Sequence, residues 1–434
     1  MRDKLLLKLL LLLAAQQLAF ILFFPPVREP DSASFIAVAA QAAQTGGFSA
    51  ETRLPGYPAF LAALYLPFGQ ADLPVVITQH LLGLLLWFLL ASRLQTDRQK
   101  MLFTGLFALD LLYSSYQHAL LSDFLFSFLL CAGALGAGWP RGERRLSGAL
   151  LCGLFVAAGL LTKPALKLFP FFILPFFLPG PGPLKGKLRY AAAFLILPLL
   201  AVNLWSWRNY RETGRYSMLP MESYHYIGRV VNHIEFPAGS VSEKYFREQM
   251  PGGSVPRNRR AAVIHGAEAA MRRDGIKTET MDEEFRDIFR LSILRRPFAY
   301  LNESLTELFY FFFSAHNLYA KFALKDKLPA SAEAGLGSGD LGGFLLKMAV
   351  SLHPFYWGVA GLFAWFLALN WRRLAAEGDL FFLYSIGIVA YIALVSSFAN
   401  EGLARYRGAV QPLMLYFSAV LLARLFPGKA GAPR

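Results

Sequence analysis

Residues 4–24 read KLLLKLLLLLAAQQLAFILFF, and the fold is decided on this run. It holds about 20 consecutive residues of mainly apolar character, enough to cross a bilayer as a helix. Arg2, Lys4 and Lys8 at its start raise the rival reading of a secretory signal. That reading fails on length, on the lack of a small-residue cleavage site before Pro25-Pro26, and on the further apolar runs that recur along the whole chain. These runs place spans near 73–92, 101–117, 121–138, 147–162, 165–180, 188–207, 343–370, 379–398 and 408–426. The chain is therefore expected to be an all-α polytopic membrane protein with about ten transmembrane helices.

Composition agrees. Of 434 residues, 55% are hydrophobic and only 17% charged, whereas soluble domains sit near 45–50% and 25%. Mean hydropathy is +0.41. A net charge of +14 could suggest a nucleic-acid partner, but the positions of the charges give a better account. Lys and Arg concentrate in alternate short connections: Arg2/Lys4/Lys8, Arg93/Arg98/Lys100, Arg141/Arg144/Arg145, Lys185/Lys187/Arg189, Arg372/Arg373 and Arg424/Lys429/Arg434. The positive-inside rule then puts both termini in the cytoplasm, with an even number of spans. Cys131 and Cys152 lie inside apolar runs and suggest no disulfide framework. The seven histidines have no metal-ligand spacing and read as structural or solvated. No Walker or dinucleotide fingerprint occurs.

This topology divides the chain into three parts. Residues 1–208 form an N-terminal membrane core whose first outer loop is 25–72. Residues 209–342 form a large extracytoplasmic region, and 343–434 the C-terminal membrane helices. Within the first loop, Pro58 to Phe68 is apolar but too short to span, so it belongs near the interface. Residues 298–318 are apolar enough to tempt. Spanning there would move Arg372 and Arg373 outside and draw Glu303 and Glu307 into lipid, at a few kcal/mol each. The segment reads instead as an amphipathic helix on the outer interface.

Ionisable residues at the outer ends of the spans should converge on one cavity. These are Asp31, Arg53, Asp123, Lys163, Lys167, Arg208, Glu401, Arg405 and Arg407. Carboxylates beside several cations suit an anionic substrate, such as a phosphate, handled next to a base. Each residue has a plainer reading. Asp31 could cap the helix beginning after it, and Asp123 the fourth span. Lys163 and Lys167 could snorkel. Arg208 could anchor beside Trp205 and Trp207, and Tyr57 and Tyr406 could be interface aromatics. Asp110 lies mid-span and needs a partner, for which His118 is nearest in sequence. Arg405 and Arg407 stand against the charge bias, which favours function.

The order of these elements resembles the GT-C superfamily of polyprenyl-phosphate-sugar-dependent glycosyltransferases, in particular the bacterial aminoarabinose transferase and protein mannosyltransferase branch. The carrying stretches are EPDSASFIAVAAQAAQTGGF (29–48), RLPGYPAFLAALYLPFG (53–69), LLSDFLFSFLL (120–130), GLLTKPALKLFP (159–170), WSWRNYRETGRY (205–216) and ARYRGAVQPLM (404–414). The resemblance implies a helical membrane core with an outward-facing active site. It implies transfer of a sugar from a polyprenyl phosphate to a lipid, glycan or protein acceptor, with inversion. Asp31 would be the catalytic base or the carboxylate that orients the acceptor; Asp123, an acid at membrane depth, is the second catalytic candidate by position. Arg53, Lys163, Arg208, Arg405 and Arg407 would hold donor phosphate, and Tyr57, Lys167 and Glu401 are further substrate-site candidates. Many relatives carry paired acids in the first loop. Here Asp31 is followed by Ser32, with Glu29 two residues earlier, which leaves open which acid is catalytic; a divalent metal is possible but not favoured. The implied location is a bacterial cytoplasmic membrane with the site on its outer face. An O-antigen polymerase or ligase, and a transporter or flippase of lipid-linked sugar, stay open as alternatives. The transporter should show internal repeats and mid-membrane charges.

Overall fold

The computed structural model describes residues 2–48, 53–139, 146–219, 221, 223–250, 252–253, 255–256, 259–315, 318, 352–399 and 404–426. In chain order, α1 (Arg2–Phe23) leads through α2 (Ser32–Thr45) and α3 (Gly56–Phe68) to α4 (Asp72–Arg93). Then come α5 (Asp97–Leu109), α6 (Leu111–Gln117), α7 (Ser122–Ala137), α8 (Leu146–Leu160), the single turn α9 (Phe169–Phe172) and α10 (Leu184–Thr213). The hydrophilic portion forms α11 (Tyr224–Ile227), α12 (Glu243–Gln249), α13 (Arg260–Arg273), α14 (Thr278–Arg295) and α15 (Pro297–Phe313). The chain returns through α16 (His353–Glu377), α17 (Leu380–Phe398), α18 (Ala404–Gly408) and α19 (Gln411–Leu425).

Among the described residues four helices, α1, α4, α10 and α17, are long and apolar enough to cross a membrane, and α3, α7, α8 and α19 are shorter apolar helices. Their burial differs in a way that orders the bundle. α17 is enclosed along nearly its whole length, whereas α1 and α10 leave Leu11, Leu22, Leu200 and Leu204 exposed. An enclosed apolar helix beside outer helices that keep apolar faces bare is the arrangement of a multi-pass membrane protein. Small residues bring the helices of this bundle close together. A methyl at Gly136 would stand 2.9 Å from the Cys152 backbone nitrogen, and one at Gly153 2.5 Å from the Phe194 carbonyl. Close backbone approach of this kind is how helices associate where burial from water provides little drive.

Two of the expected spans are broken. The 101–117 run bends at Asp110 (φ −78°, ψ 81°), because its side chain accepts from the Tyr113 N–H and starts α6 as a new helix. Asp110 also accepts from the Tyr356 hydroxyl at 3.1 Å. Its partner is thus not His118, which bonds His80 and the Phe24 carbonyl instead. The 165–180 run is not a continuous helix either. It is two 3-10 turns, Pro164–Leu166 and Leu174–Phe177, flanking α9. Pro170 and Pro175 each remove a donor and clash with the preceding turn, at about 3 kcal/mol in a helix interior. Of the expected span at 343–370, residues 343–351 lie outside the described residues, and α16 carries the remainder on to Glu377.

The hydrophilic portion has its own apolar centre, with Ile227, Val230, Phe246, Ile264, Met271, Phe285 and Ile288 packed together. It is joined to α15 by charge. Glu307 lies 3.7 Å from Arg229 and 3.5 Å from Arg260, and Glu303 also pairs with Arg260. The opposite face of α15 exposes Phe298, Leu301, Leu305 and Phe309, so this helix is amphipathic.

Candidate active site

Asp31 and Asp123 lie 92 positions apart in sequence and share one guanidinium. Two local devices bring them together. First, the loop before Asp31 pairs with the loop before Asp123. The Val27 N–H donates to the His118 carbonyl at 3.0 Å, and the Leu120 N–H donates to the Val27 carbonyl at 2.9 Å. Second, the start of α3 sits directly on the turn after α8. The Gly56 N–H donates to the Leu161 carbonyl at 2.7 Å. A Cβ at residue 56 would stand 2.5 Å from Thr162 Oγ1 and 2.7 Å from Leu161 O. Only glycine permits that approach, which ties the segment after Arg53 to the turn that carries Lys163.

Arg405, on the short helix α18, is the bridge. Its Nε and Nη2 donate to the two oxygens of Asp123 at 3.0 and 2.9 Å, and Nη2 also donates to Asp31 Oδ2 at 3.2 Å. Lys163 Nζ donates to Asp123 Oδ1 at 2.7 Å. Arg53 Nη2 donates to Asp31 Oδ1 at 2.8 Å, its Nε donates to Ser34 at 2.9 Å, and its guanidinium lies 4.4 Å above the Phe35 ring. Three cations therefore meet two carboxylates. Burial separates the acids: the Asp123 side chain is 6% exposed and that of Asp31 40%. Asp123 is walled in by its cations, while Asp31 has an open side.

Neither acid spends its side chain as a helix cap. Asp31 occupies the N-cap position of α2 but makes no side-chain cap bond, and the Asp123 carboxylate is directed to Lys163 and Arg405. Burial raises the Asp31 pKa, but Arg405 and then Arg53 outweigh it and hold the carboxyl below its ordinary range. Burial also works against the Arg405 guanidinium, and Asp123 more than offsets it, so its pKa is raised. For Lys163 burial prevails over the attraction of Asp123, and its pKa is lowered. A cavity of about 30 Å³ lies beside the group, lined by Asp123, Lys163, Ser396, Arg405 and Tyr406. Among the described residues no cluster of His, Cys, Asp and Glu could hold a metal. The two carboxylates face each other across Arg405, and their oxygens are engaged by Arg53, Lys163 and Arg405.

The other described candidates fall outside this group. Arg208 donates to the Phe48 carbonyl, pairs with Glu212 at 2.8 Å and lies over Trp205. Arg407 is buried, donates to the Phe311 and Phe312 carbonyls at 3.1 and 2.6 Å, and lies over Tyr356. Tyr57 is fully buried against Phe35, with its hydroxyl 3.3 Å from Gln79. Lys167 is exposed at the end of the Pro164–Leu166 turn. Glu401 lies outside the described residues. Sequence reasoning missed Ser34, although its spacing of three from Asp31 puts both on one face of α2. It also undervalued Tyr406, whose ring lies 5.6 Å from Lys163 Nζ.

No protein-family model matches the sequence, and no curated protein matches it. Among solved structures it is similar to the archaeal oligosaccharyltransferase AglB from Archaeoglobus fulgidus, in complex with an inhibitory peptide and a dolichol-phosphate. Identity is 10% and the TM-score 0.54, over all of this chain and 53% of that one. ArnT from Cupriavidus metallidurans also aligns, with a TM-score of 0.39 in both of its states. The apo state gives 13% identity over 96% of this chain and 76% of that one. The form bound to undecaprenyl phosphate gives 14% identity over 95% and 78%. The AglB likeness shows the fold: the chain shares the arrangement of membrane helices seen in that oligosaccharyltransferase. The chain spans about half the length of that oligosaccharyltransferase.

Proposed function

We propose that the chain is a membrane glycosyltransferase, moving a sugar from a polyprenyl-phosphate donor to a lipid, glycan or protein acceptor on the outer face of a bacterial cytoplasmic membrane. The observation that carries this reading is Arg405 bridging the half-open Asp31 to the enclosed Asp123. The cluster has one positive charge in excess, which a phosphodiester donor would neutralise. Cleavage of the sugar–phosphate bond leaves a phosphate monoester with more charge than the donor. Arg405, Lys163 and Arg53 stand ready to stabilise that growth without reorganising.

Asp31 takes the acceptor. With its pKa held low it is ionised at neutral pH and accepts a hydrogen bond from an acceptor hydroxyl. That aligns the oxygen for in-line attack at the anomeric carbon, with inversion. A carboxylate of depressed pKa removes the proton late, when bond formation has made the hydroxyl acidic. Asp123 holds Lys163 and Arg405 in place. The AglB structure is a complex with a dolichol-phosphate, and a lipid phosphate of that class is the ligand assigned here. No metal is assigned a step.

The test is transfer by purified protein from a panel of radiolabelled polyprenyl-phosphate sugars, with the anomeric configuration of the product read by NMR. Transfer with inversion supports the proposal. No transfer from any donor, with lipid-linked sugar crossing reconstituted vesicles, sinks it in favour of a transporter.

A further inference from the structure

A second cavity lies at the far end of the bundle from Asp31. Its volume is about 450 Å³, within the range of small-ligand sites. Three helices establish the separation. α7 has Asp123 at its first turn, and Gly138 just beyond its end lines this cavity. α17 lines it with Leu380 and lines the Asp123 side with Ser396. α19 brings Arg424 to it, while Ala409 just before α19 lies at the other end. Fifteen helical residues from Asp123 to Gly138 span roughly 22 Å.

Three arginines converge on this cavity from different helices: Arg93 at the end of α4, Arg373 in α16 and Arg424 in α19. The Arg93 guanidinium lies over the Phe381 ring at 4.4 Å, and Arg424 Nη1 donates to Asn370 at 2.7 Å. Two carboxylates also line it. Asp379 is occupied as the N-cap of α17, accepting from the Phe382 N–H at 3.1 Å. Glu377 stands 3.9 Å from Arg373, too far for a hydrogen bond. The lining thus keeps a cationic surplus while its one loosely held acid is neutralised only by charge. Its flank is apolar and open. Trp371 packs 6.0 Å from Phe382 of the lining, and Leu369 and Phe426 are exposed beside the Asn370–Arg424 pair.

We propose that this cavity binds a phosphate-bearing anion, the headgroup phosphate of an anionic phospholipid whose acyl chains lie on the exposed α16 and α19 face. Guanidinium groups recognise phosphate oxygens through planar pairs of donors. Basic pockets between membrane helices are suited to anionic headgroups. The adjoining Trp371, Leu369 and Phe426 favour a ligand with a tail over free phosphate.

Full-length protein in nanodiscs of phosphatidylcholine, with or without phosphatidylglycerol, provides the test. Lipid retained after transfer to detergent is read by native mass spectrometry. Phosphatidylglycerol should be retained over phosphatidylcholine by on the order of tenfold. Arg373→Gln/Arg424→Gln should erase that preference, and Arg373→Lys/Arg424→Lys should keep most of it. Glu377→Gln should strengthen it, a gain that a misfolded protein would not give. A parallel arm titrates inorganic phosphate against the detergent-purified protein. Arginine-dependent phosphate binding without lipid preference would overturn the lipid assignment in favour of a soluble anion. Equal retention of both lipids by every variant, with no phosphate binding, would overturn the proposal.

Discussion

Arg405→Gln removes the side chain that bridges Asp31 and Asp123. It deletes two bonds to Asp123, at 2.9 and 3.0 Å, and one to Asp31 at 3.2 Å. Asp123 stays enclosed, with Lys163 at 2.7 Å as its remaining cation. Breaking a buried pair by removing one partner costs roughly 3–5 kcal/mol, because the other charge remains desolvated. The surviving Lys163 bond puts the expected cost near the lower end, about 3 kcal/mol. Asp123→Asn alone should cost a similar amount, since it leaves Lys163 buried opposite a neutral group. The double variant strands no Asp123 charge opposite a missing guanidinium. It should cost about 4 kcal/mol rather than about 6, a coupling of about 2 kcal/mol. The protein carries its own reporter in Cys131 and Cys152, both free and buried. A thiol-reactive dye then tracks unfolding in detergent, wild type and three variants side by side. Additive losses, with coupling below about 0.5 kcal/mol, would refute the shared network.

Gly56→Ala should destabilise the protein by about 1–3 kcal/mol and weaken donor binding, since the new methyl meets Thr162 Oγ1 and the Leu161 carbonyl. Thr162→Ala added in a binding and melting assay should not restore it, because the backbone clash persists. Asp31 must be ionised to act, and its pKa is depressed, so transfer should persist as pH falls and fail only below the ordinary carboxylate value near about 4. Arg53→Gln removes a cation that lowers that pKa, so the acid limb of its pH–rate profile should move upward. Glu307→Ala leaves Arg229 and Arg260 short of a buried partner. It should loosen α11–α14 by about 3 kcal/mol, seen as faster limited proteolysis with Arg405-dependent stability intact.

Much of the fold was legible because apolar length is a direct physical requirement of crossing a bilayer. The runs at 4–24, 73–92, 188–207 and 379–398 correspond to the four long apolar helices. The breaks were harder. In 165–180 the prolines were visible, and their removal of backbone donors should have outweighed the run of phenylalanines. At Asp110 an acid inside an apolar run points, by sequence alone, to an ionisable partner. The carboxylate instead meets a backbone N–H and a tyrosine from α16, 246 positions away, a contact that local sequence does not encode. The candidate site was partly legible, since Asp31, Arg53, Asp123, Lys163 and Arg405, which the structure brings together, stand out by charge at the span ends. Arg407 shows the limit of that signal. Residues two apart on a helix face different ways, so Arg405 reaches Asp123 while Arg407 turns to the carbonyls of α15. Charge position identifies both, and only packing separates them. Nothing in the sequence marks Val27, whose pairing with residues 118–120 aligns the two acids.

The most direct measurement compares Asp31→Asn with wild type for two quantities, the rate of sugar transfer and the affinity for the polyprenyl-phosphate sugar donor. Arg53 and Arg405 remain in this variant and keep the phosphate site. The expected result is donor affinity within about threefold of wild type, with transfer reduced by about 10² or more. Transfer at an unchanged rate, or loss of donor binding in proportion to the loss of rate, would contradict the role of Asp31 in the chemical step.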